Sequence, residues 1–249
     1  RQEDYGITVE NFDKNFDSVI GRSRKVAQTM SKGVNFLMKK NKIKIFEGFG
    51  QLSSNKTIKI SDQNGSEIKI SAEKIIIATG ARSRELPFLK KDGKKIIGYR
   101  EAMTLDKQPK DIVIVGSGAI GIEFAYFYNS MGTSVTIVEY MDRIVPIEDS
   151  EISKELEKSL KKKGINILTS TEVEKAEINS SNSVDVSLKT SNGEKSIINT
   201  EIVLSAVGIK TNIENIGLED LGIKIEKDKI LVDDFYMTNI CLLYTSPSP

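Results

Sequence analysis

"IVIVGSGAIGIEFA", residues 112–125, decides how this chain is read. Ile112 to Val115 are apolar and β-branched throughout, the composition of a parallel strand buried on both faces. Gly116, Gly118 and Gly121 follow with the spacing GxGxxG, and an apolar helix runs on to Met131, where Gly132 stands as its cap. Each glycine meets a separate steric demand. The first permits the tight turn, the second lets backbone approach a diphosphate, and the third allows helix and strand to pack closely. Free N–H groups at the helix start, together with the helix dipole, then stabilise the phosphates.

The next strand, "SVTIVE" (134–139), ends on Glu139, the acidic residue expected about 20 residues past the glycines. Its carboxylate can accept hydrogen bonds from both hydroxyls of an adenosine ribose. A 2′-phosphate there would meet a like charge. The residues beyond, "YMDRIV", supply one arginine, Arg143, rather than an adjacent basic pair, so NAD is favoured over NADP. Glu123, taken alone, is an exposed carboxylate near a helix N-terminus. Gly208, ending "VLSAVG", is expected at the carboxyl edge of the sheet beside the cofactor, and Gly80, ending "IIIATG", in the same place for another nucleotide.

The composition agrees. The chain has 249 residues, 39% hydrophobic and 29% charged, with 36 Lys+Arg against 35 Asp+Glu for a net charge of +1. That balance gives no electrostatic reason to expect nucleic acid or an anionic membrane as partner. No apolar run approaches the roughly 20 residues of a spanning helix. The opening "RQEDYGITVE" has no signal-peptide pattern. A single cysteine, Cys241, excludes a disulfide framework and fits a reducing, cytoplasmic compartment. No metal site is expected.

Working outward, the two halves share one order of elements. In 12–41, Phe16, Val19, Ile20, Val26, Ala27, Met30, Val34, Leu37 and Met38 form one apolar stripe on a long helix. "IKIFEGFG" (43–50) reads as a strand, and "TIKISDQNGSEIKI" as a hairpin around Asn64-Gly65, with a type I′ turn. The segment Ile75 to Ala78 reads as a buried strand. In the second half, Ile152, Leu156 and Leu160 space a helix that stops at Gly164. "INIL" is a strand, Asn192-Gly193 turns another hairpin, and "EIVLSAVG" is the buried strand. Corresponding features are offset by about 125 residues, which suggests a duplicated plan. After "VDDFYMTNI" the sequence changes to "CLLYTSPSP" (241–249), read as a foreign or disordered tail.

With these residues placed, the sequence resembles the flavin-dependent pyridine nucleotide–disulfide oxidoreductases, and within them the lipoamide branch. The resemblance rests on residues 19–52, "IIIATGARSRELP" (75–87), residues 112–139, "RIVPIEDSEISKELEKSLKKKGI" (143–165) and "SAVGIKTNIENIGLEDLGI" (205–223). It implies an α/β fold with two Rossmann-like nucleotide-binding domains, one FAD-type and truncated, one NAD-type, each with a β-meander crossover. Residues 1–105 would be the FAD domain, with Gly50 near the adenine and Thr79, Gly80 and Ala81 close to the flavin. Residues 107–210 would be the NAD domain. There Gly116, Ser117, Gly118, Ala119, Ile120, Gly121 and Glu123 form the loop, Glu139 reads the ribose, Val173 flanks the adenine and Gly208 completes the pocket. Glu123 would lie beside the nicotinamide, and residues 211–240 would return to the FAD domain.

The resemblance also implies what the parent does. It would oxidise protein-bound dihydrolipoyl groups through a disulfide and FAD, and pass a hydride to NAD⁺. Its partners would be lipoyl-bearing proteins of 2-oxoacid dehydrogenase or glycine cleavage complexes, and it would be a homodimer. The family's redox cysteine pair and first glycine loop belong upstream of the match to "EDYGI" (3–7). Its flavin-contacting Gly-Asp motif belongs after Ile240, and its dimerisation domain, with a histidine–glutamate pair, later still. The chain has no histidine and one cysteine, so it is expected to be a fragment without catalytic residues, inactive alone. Two alternatives stay open: another family activity, such as an NADH oxidase, coenzyme A disulfide reductase or mercuric reductase, or a non-catalytic nucleotide-binding module.

Overall fold

The computed structural model describes Gly6 and residues 12–245. Helix α1 (Phe16–Lys40) is followed by β1 (Phe49–Ser54), β2 (Thr57–Ser61), β3 (Glu67–Ser71), β4 (Ile75–Ile77) and β5 (Ala81–Ser83). Next come β6 (Ile96–Ile97), α2 (Tyr99–Ala102), β7 (Asp111–Val115), α3 (Ala119–Met131), β8 (Ser134–Val138), α4 (Ser150–Lys162) and β9 (Asn166–Leu168). The chain continues through β10 (Thr171–Ile178), β11 (Val184–Thr190), β12 (Lys195–Thr200) and β13 (Ile202–Ser205). It closes with β14 (Ile209–Thr211), β15 (Ile225–Glu226), β16 (Lys229–Ile230) and β17 (Leu243–Thr245).

These elements form two compact units: the described residues of Arg1–Met30 with Ser83–Gly208, and Ser31–Arg82 with the described residues of Ile209–Pro249. The first is built on a parallel sheet of order β6-β13-β7-β8-β9. Side chains alternate across a pleated strand, which explains why β7 is apolar at every position. Ile112 and Ile114 pack with Ala125 and Tyr128 of α3, while Val113 and Val115 pack with Val184, Val186 and Leu188 of the antiparallel meander β10-β11-β12. Tyr128 is fully buried and donates its hydroxyl to the Ala102 carbonyl at 2.6 Å, and burial pushes its phenol pKa up. Phe16 of α1 stacks on Tyr128 with ring centroids 6.2 Å apart. At the far end of α3, Gly132 takes the left-handed conformation at φ 106° and ends the helix as expected.

The second unit holds the antiparallel sheet β1-β2-β3, the parallel pair β17-β4 and the short hairpin β15-β16. Its core gathers Leu52, Ile75, Ile77, Ile213, Ile216, Leu218, Ile223 and Leu243. The Leu52 N–H donates to the Ile216 carbonyl at 2.9 Å, and Gly217 follows with φ +83° against the Leu52 backbone. A side chain at Gly217 would collide there.

The α/β architecture with a meander in each half is the expected one; several details differ. Residues 83–105 cluster with 107–208 rather than with the preceding segment, because Ile96 and Ile97 pair in parallel with Val203 and Leu204. No strand forms over 43–48, and Ile43 and Ile45 stay exposed, because no neighbouring strand reaches them among the described residues. The α1 stripe is mostly uncovered: Phe16 is buried, but Met30 and Val34 are 69% and 51% exposed. Ile76 of β4 faces solvent between buried Ile75 and Ile77, so this strand is covered on one face only. Ile152, in the first turn of α4, is exposed, whereas Leu160 is buried.

Both hairpins form, without the type I′ geometry. Only the glycines are left-handed, Gly65 at φ 81° and Gly193 at φ 84°. Around Gly65 the Asp62 carboxylate accepts from the Asn64 and Ser66 N–H groups, each at 2.8 Å, which fixes a longer loop with the glycine at its bulge. Of the two readings of 241–249, foreign or disordered, the second is corrected for residues 243–245. Leu243 to Thr245 form β17 in register with Ile75 to Ile77, because Leu243 fills the core beside them. Residues 246–249 lie outside the described residues, as does "EDYGI" apart from Gly6.

Candidate nucleotide-binding site

The glycine loop is set by its backbone neighbours. The Ala206 N–H donates to the Val115 carbonyl at 2.8 Å and the Gly116 N–H to the Val138 carbonyl at 2.9 Å, so the turn emerges between β13 and β8. Gly116 has φ +99°, and a Cβ there would lie 2.5 Å from the Ala206 carbonyl oxygen. At Gly121 a Cβ would run into the Gly116 carbonyl, whose carbon is 3.1 Å away. Gly118 differs from both: an added Cβ would meet nothing within 4 Å. The turn is therefore closed at its first and third glycines and open at its second, the cradle a diphosphate requires.

Gly118, Ala119 and Ile120 are all exposed at this opening. Gly118 is the N-cap of the 13-residue α3, which has no side-chain cap and no acidic residue in its first turn. The first N–H groups of a helix have no carbonyl to bond within it, and with the dipole behind them they attract an anion.

Glu139 follows the last residue of β8, and its carboxylate points at the glycine loop. Oε2 accepts the Ser117 N–H at 2.8 Å and the Ser117 hydroxyl at 2.6 Å, and Oε1 accepts the Met141 N–H at 2.9 Å. A carboxylate offers about four lone-pair directions, so one remains, on Oε1. The sequence reading asks this carboxylate to accept two hydroxyls, and these intrachain bonds leave it one free direction.

Ser117 is corrected more fully. It is completely buried, its two donors go to Glu139, and its carbonyl accepts the Val145 N–H at 3.0 Å. No polar atom of Ser117 is left for a cofactor. The Val173 side chain is likewise committed to the core, beside Val115 and Val138. Gly208 takes φ +103° with open space around it, as a close approach requires, and its carbonyl accepts the Arg84 N–H at 3.0 Å. Glu123 is exposed and lines a cavity of about 320 Å³ with Arg24, Met103, Phe124 and Phe127. It does not line the glycine turn.

In the second unit, Gly50 and Thr79 line one cavity of about 620 Å³, together with Phe49, Arg82, Asn212 and Glu214. Gly80 turns the chain at φ +70°. Asn212 braces this turn, its side chain donating to the Thr79 carbonyl at 3.1 Å and its backbone N–H to the Gly80 carbonyl at 3.0 Å. Ala81 continues into β5, outside the lining of the cavity. Arg82 grips Glu214 with both terminal nitrogens, at 3.0 and 2.6 Å, and Lys210 reaches the same carboxylate at 2.9 Å. The hydrogen bond from Arg82, then that from Lys210, hold the Glu214 carboxyl well below the usual range. Sequence reasoning missed Arg82, Asn212 and Glu214. Arg82 and Glu214 are 132 residues apart, and no local spacing links them. Among the described residues no cluster of histidine, cysteine or acidic side chains suits a metal ion, and no helix is long and apolar enough to cross a membrane.

The family model for pyridine nucleotide-disulphide oxidoreductases matches residues 5–245. A dihydrolipoyl dehydrogenase of Rhizobium etli is 41% identical over 257 residues, covering 97% of this chain and 53% of the relative. One from Zymomonas mobilis is 40% identical over 238 residues, covering 96% and 51%. The crystal structure of LpdA from Mycobacterium tuberculosis superposes with a TM-score of 0.85 at 25% identity, over 95% of this chain and 52% of that one. The chain spans about half the length of the curated relatives it matches.

Proposed function

The chain belongs to the pyridine nucleotide-disulphide oxidoreductase family, and from that premise we propose that it carries the nucleotide-binding parts of an NAD-dependent dihydrolipoyl dehydrogenase. The observation that supports this most is the pairing of an open Gly118 with a Glu139 carboxylate aimed at the same turn. In this reading the Ala119 and Ile120 N–H groups hold the NAD diphosphate, and Glu139 Oε1 takes a ribose hydroxyl. Gly208 leaves room for the cofactor at the sheet edge, and Glu123 stands on the nicotinamide side.

The fit to FAD is narrower but positive. Gly50 and Thr79 share a cavity with Phe49, Arg82 and Asn212, and Gly80 provides the turn that lets backbone approach a flat ligand. Bound FAD and NAD supply the hydride chemistry. The residues of this chain would hold them: the turn at 79–81 the FAD, and the loop at 116–121 with Glu139 the NAD. The protein that acts on dihydrolipoyl groups would meet lipoyl-bearing partners of 2-oxoacid dehydrogenase or glycine cleavage complexes, as a homodimer in the cytoplasm. Residues 1–249 themselves hold one cysteine, so they cannot form the intrachain disulfide that dithiol oxidation needs.

Titration of the 249-residue chain with NADH and NADPH, followed by nicotinamide fluorescence, tests this. Saturable binding that prefers NADH is expected, with no NADH formed from dihydrolipoamide and NAD⁺. Equal binding of the two nucleotides, or none of either, contradicts the assignment.

A further inference from the structure

The N–H and hydroxyl of Ser117 both go to Glu139, and its carbonyl accepts the Val145 N–H. We propose that Ser117 is a specificity-determining positioning residue, which excludes a 2′-phosphate by locking the Glu139 carboxylate in place. This rests on Glu139 being the ribose contact.

To admit a 2′-phosphate, the carboxylate must swing out of the way. That would strip the acceptor from the Ser117 N–H and hydroxyl together, inside a residue with 0% exposure, where no water replaces it. The Ser117 backbone is held against following the carboxylate, because its carbonyl accepts the Val145 N–H. Val145 itself sits at φ +38°, a region a β-branched residue rarely enters. It is kept there from the other side: its carbonyl accepts the Glu148 N–H at 2.9 Å and the Ser153 hydroxyl at 3.3 Å. Ser153 is also fully buried. The lock therefore runs from the start of α4 through Val145 and Ser117 to Glu139 Oε2, and leaves Oε1 as the oxygen that faces the ribose.

A double-mutant cycle on the 249-residue chain separates this from a merely structural role, with NADH and NADPH as the titrated probes. Ser117→Ala removes the hydroxyl and leaves the backbone bond, so the fold is kept. The preference for NADH over NADPH is expected to fall about tenfold, the worth of one hydrogen bond to a charged group. In a Glu139→Ala background the same Ser117→Ala change is expected to alter neither affinity. A Ser117→Ala variant that melts lower but keeps the native preference overturns the proposal and leaves the ribose reading intact. An equal loss of preference in both backgrounds also overturns it, since Ser117 would then act without Glu139. If Glu139→Ala alone leaves NADH affinity unchanged, the ribose reading itself fails and the proposal fails with it.

Discussion

Two alanine substitutions two residues apart, Gly116→Ala and Gly118→Ala, should damage different properties of the molecule. At Gly116 the backbone is at φ +99° and a methyl would sit 2.5 Å from the Ala206 carbonyl oxygen, with backbone on both sides of the contact. Left-handed strain of about 1–3 kcal/mol adds to overpacking of about 1–3 kcal/mol. A domain of this size loses about 2–4 °C of melting temperature per kcal/mol, so Gly116→Ala should melt on the order of 10 °C lower. At Gly118 the backbone is extended, φ −65° and ψ 178°, which alanine adopts freely, and nothing lies within 4 Å. The fold loses only the small advantage of glycine over alanine at an N-cap, about 0.5 kcal/mol. The methyl instead projects into the opening where the diphosphate must approach, and loss of one charge-assisted hydrogen bond weakens binding about 10- to 100-fold. Thermal melting by circular dichroism and NADH titration by fluorescence read the two effects separately. Gly118→Ala binding NADH as tightly as the native chain would refute the reasoning. So would a melting temperature lowered as far as that of Gly116→Ala.

The remaining expectations are briefer. Glu139→Arg should weaken NADH and strengthen NADPH, inverting the order of their dissociation constants in parallel titrations; an unchanged order would mean that the ribose lies elsewhere. Tyr128→Phe leaves the Ala102 carbonyl without its donor in a buried site, and chemical denaturation should show a loss of about 1–2 kcal/mol. Glu214 titrates below its unfolded value, so its contribution to stability is complete above a pH of about 4.3 and is lost as pH falls below that. In Arg82→Met its carboxyl titration, followed by NMR, should move up toward the ordinary range, and an unmoved midpoint would remove Arg82 as the main cause.

The parts of this architecture that were legible in the sequence are those where a local pattern meets one physical demand. The three glycines, the all-apolar Ile112 to Val115 and the acidic residue closing the next strand each follow from a single steric or electrostatic requirement. The structure brings them together as read. What escaped was non-local. Nothing around Ser117 signals that its side chain turns inward, since a serine in a glycine turn suits a ligand equally well. Its direction is fixed by Glu139, 22 residues on, and by Val145. The Arg82–Glu214 pair is invisible to any window of sequence for the same reason. Periodicity identified α1 correctly as a helix but not what covers it: the spacing of Val26, Met30 and Val34 records a preference for burial, and these side chains stay exposed. The disorder considered for 241–249 does not hold at 243–245 for a different reason. Leu243 to Thr245 are too few to show alternation, and the strand exists because β4 offers an edge beside a core position that Leu243 fills.

The central claim is that one turn and one carboxylate bind NAD jointly, and a crystal structure of the chain soaked with NAD⁺ tests it most directly. Diphosphate oxygens within about 3 Å of the Ala119 and Ile120 N–H groups are expected, with an adenosine ribose hydroxyl on Glu139 Oε1 and Ser117 still bonded to Oε2. A dinucleotide seated away from Gly118, or a ribose that leaves Glu139 untouched, would contradict the account.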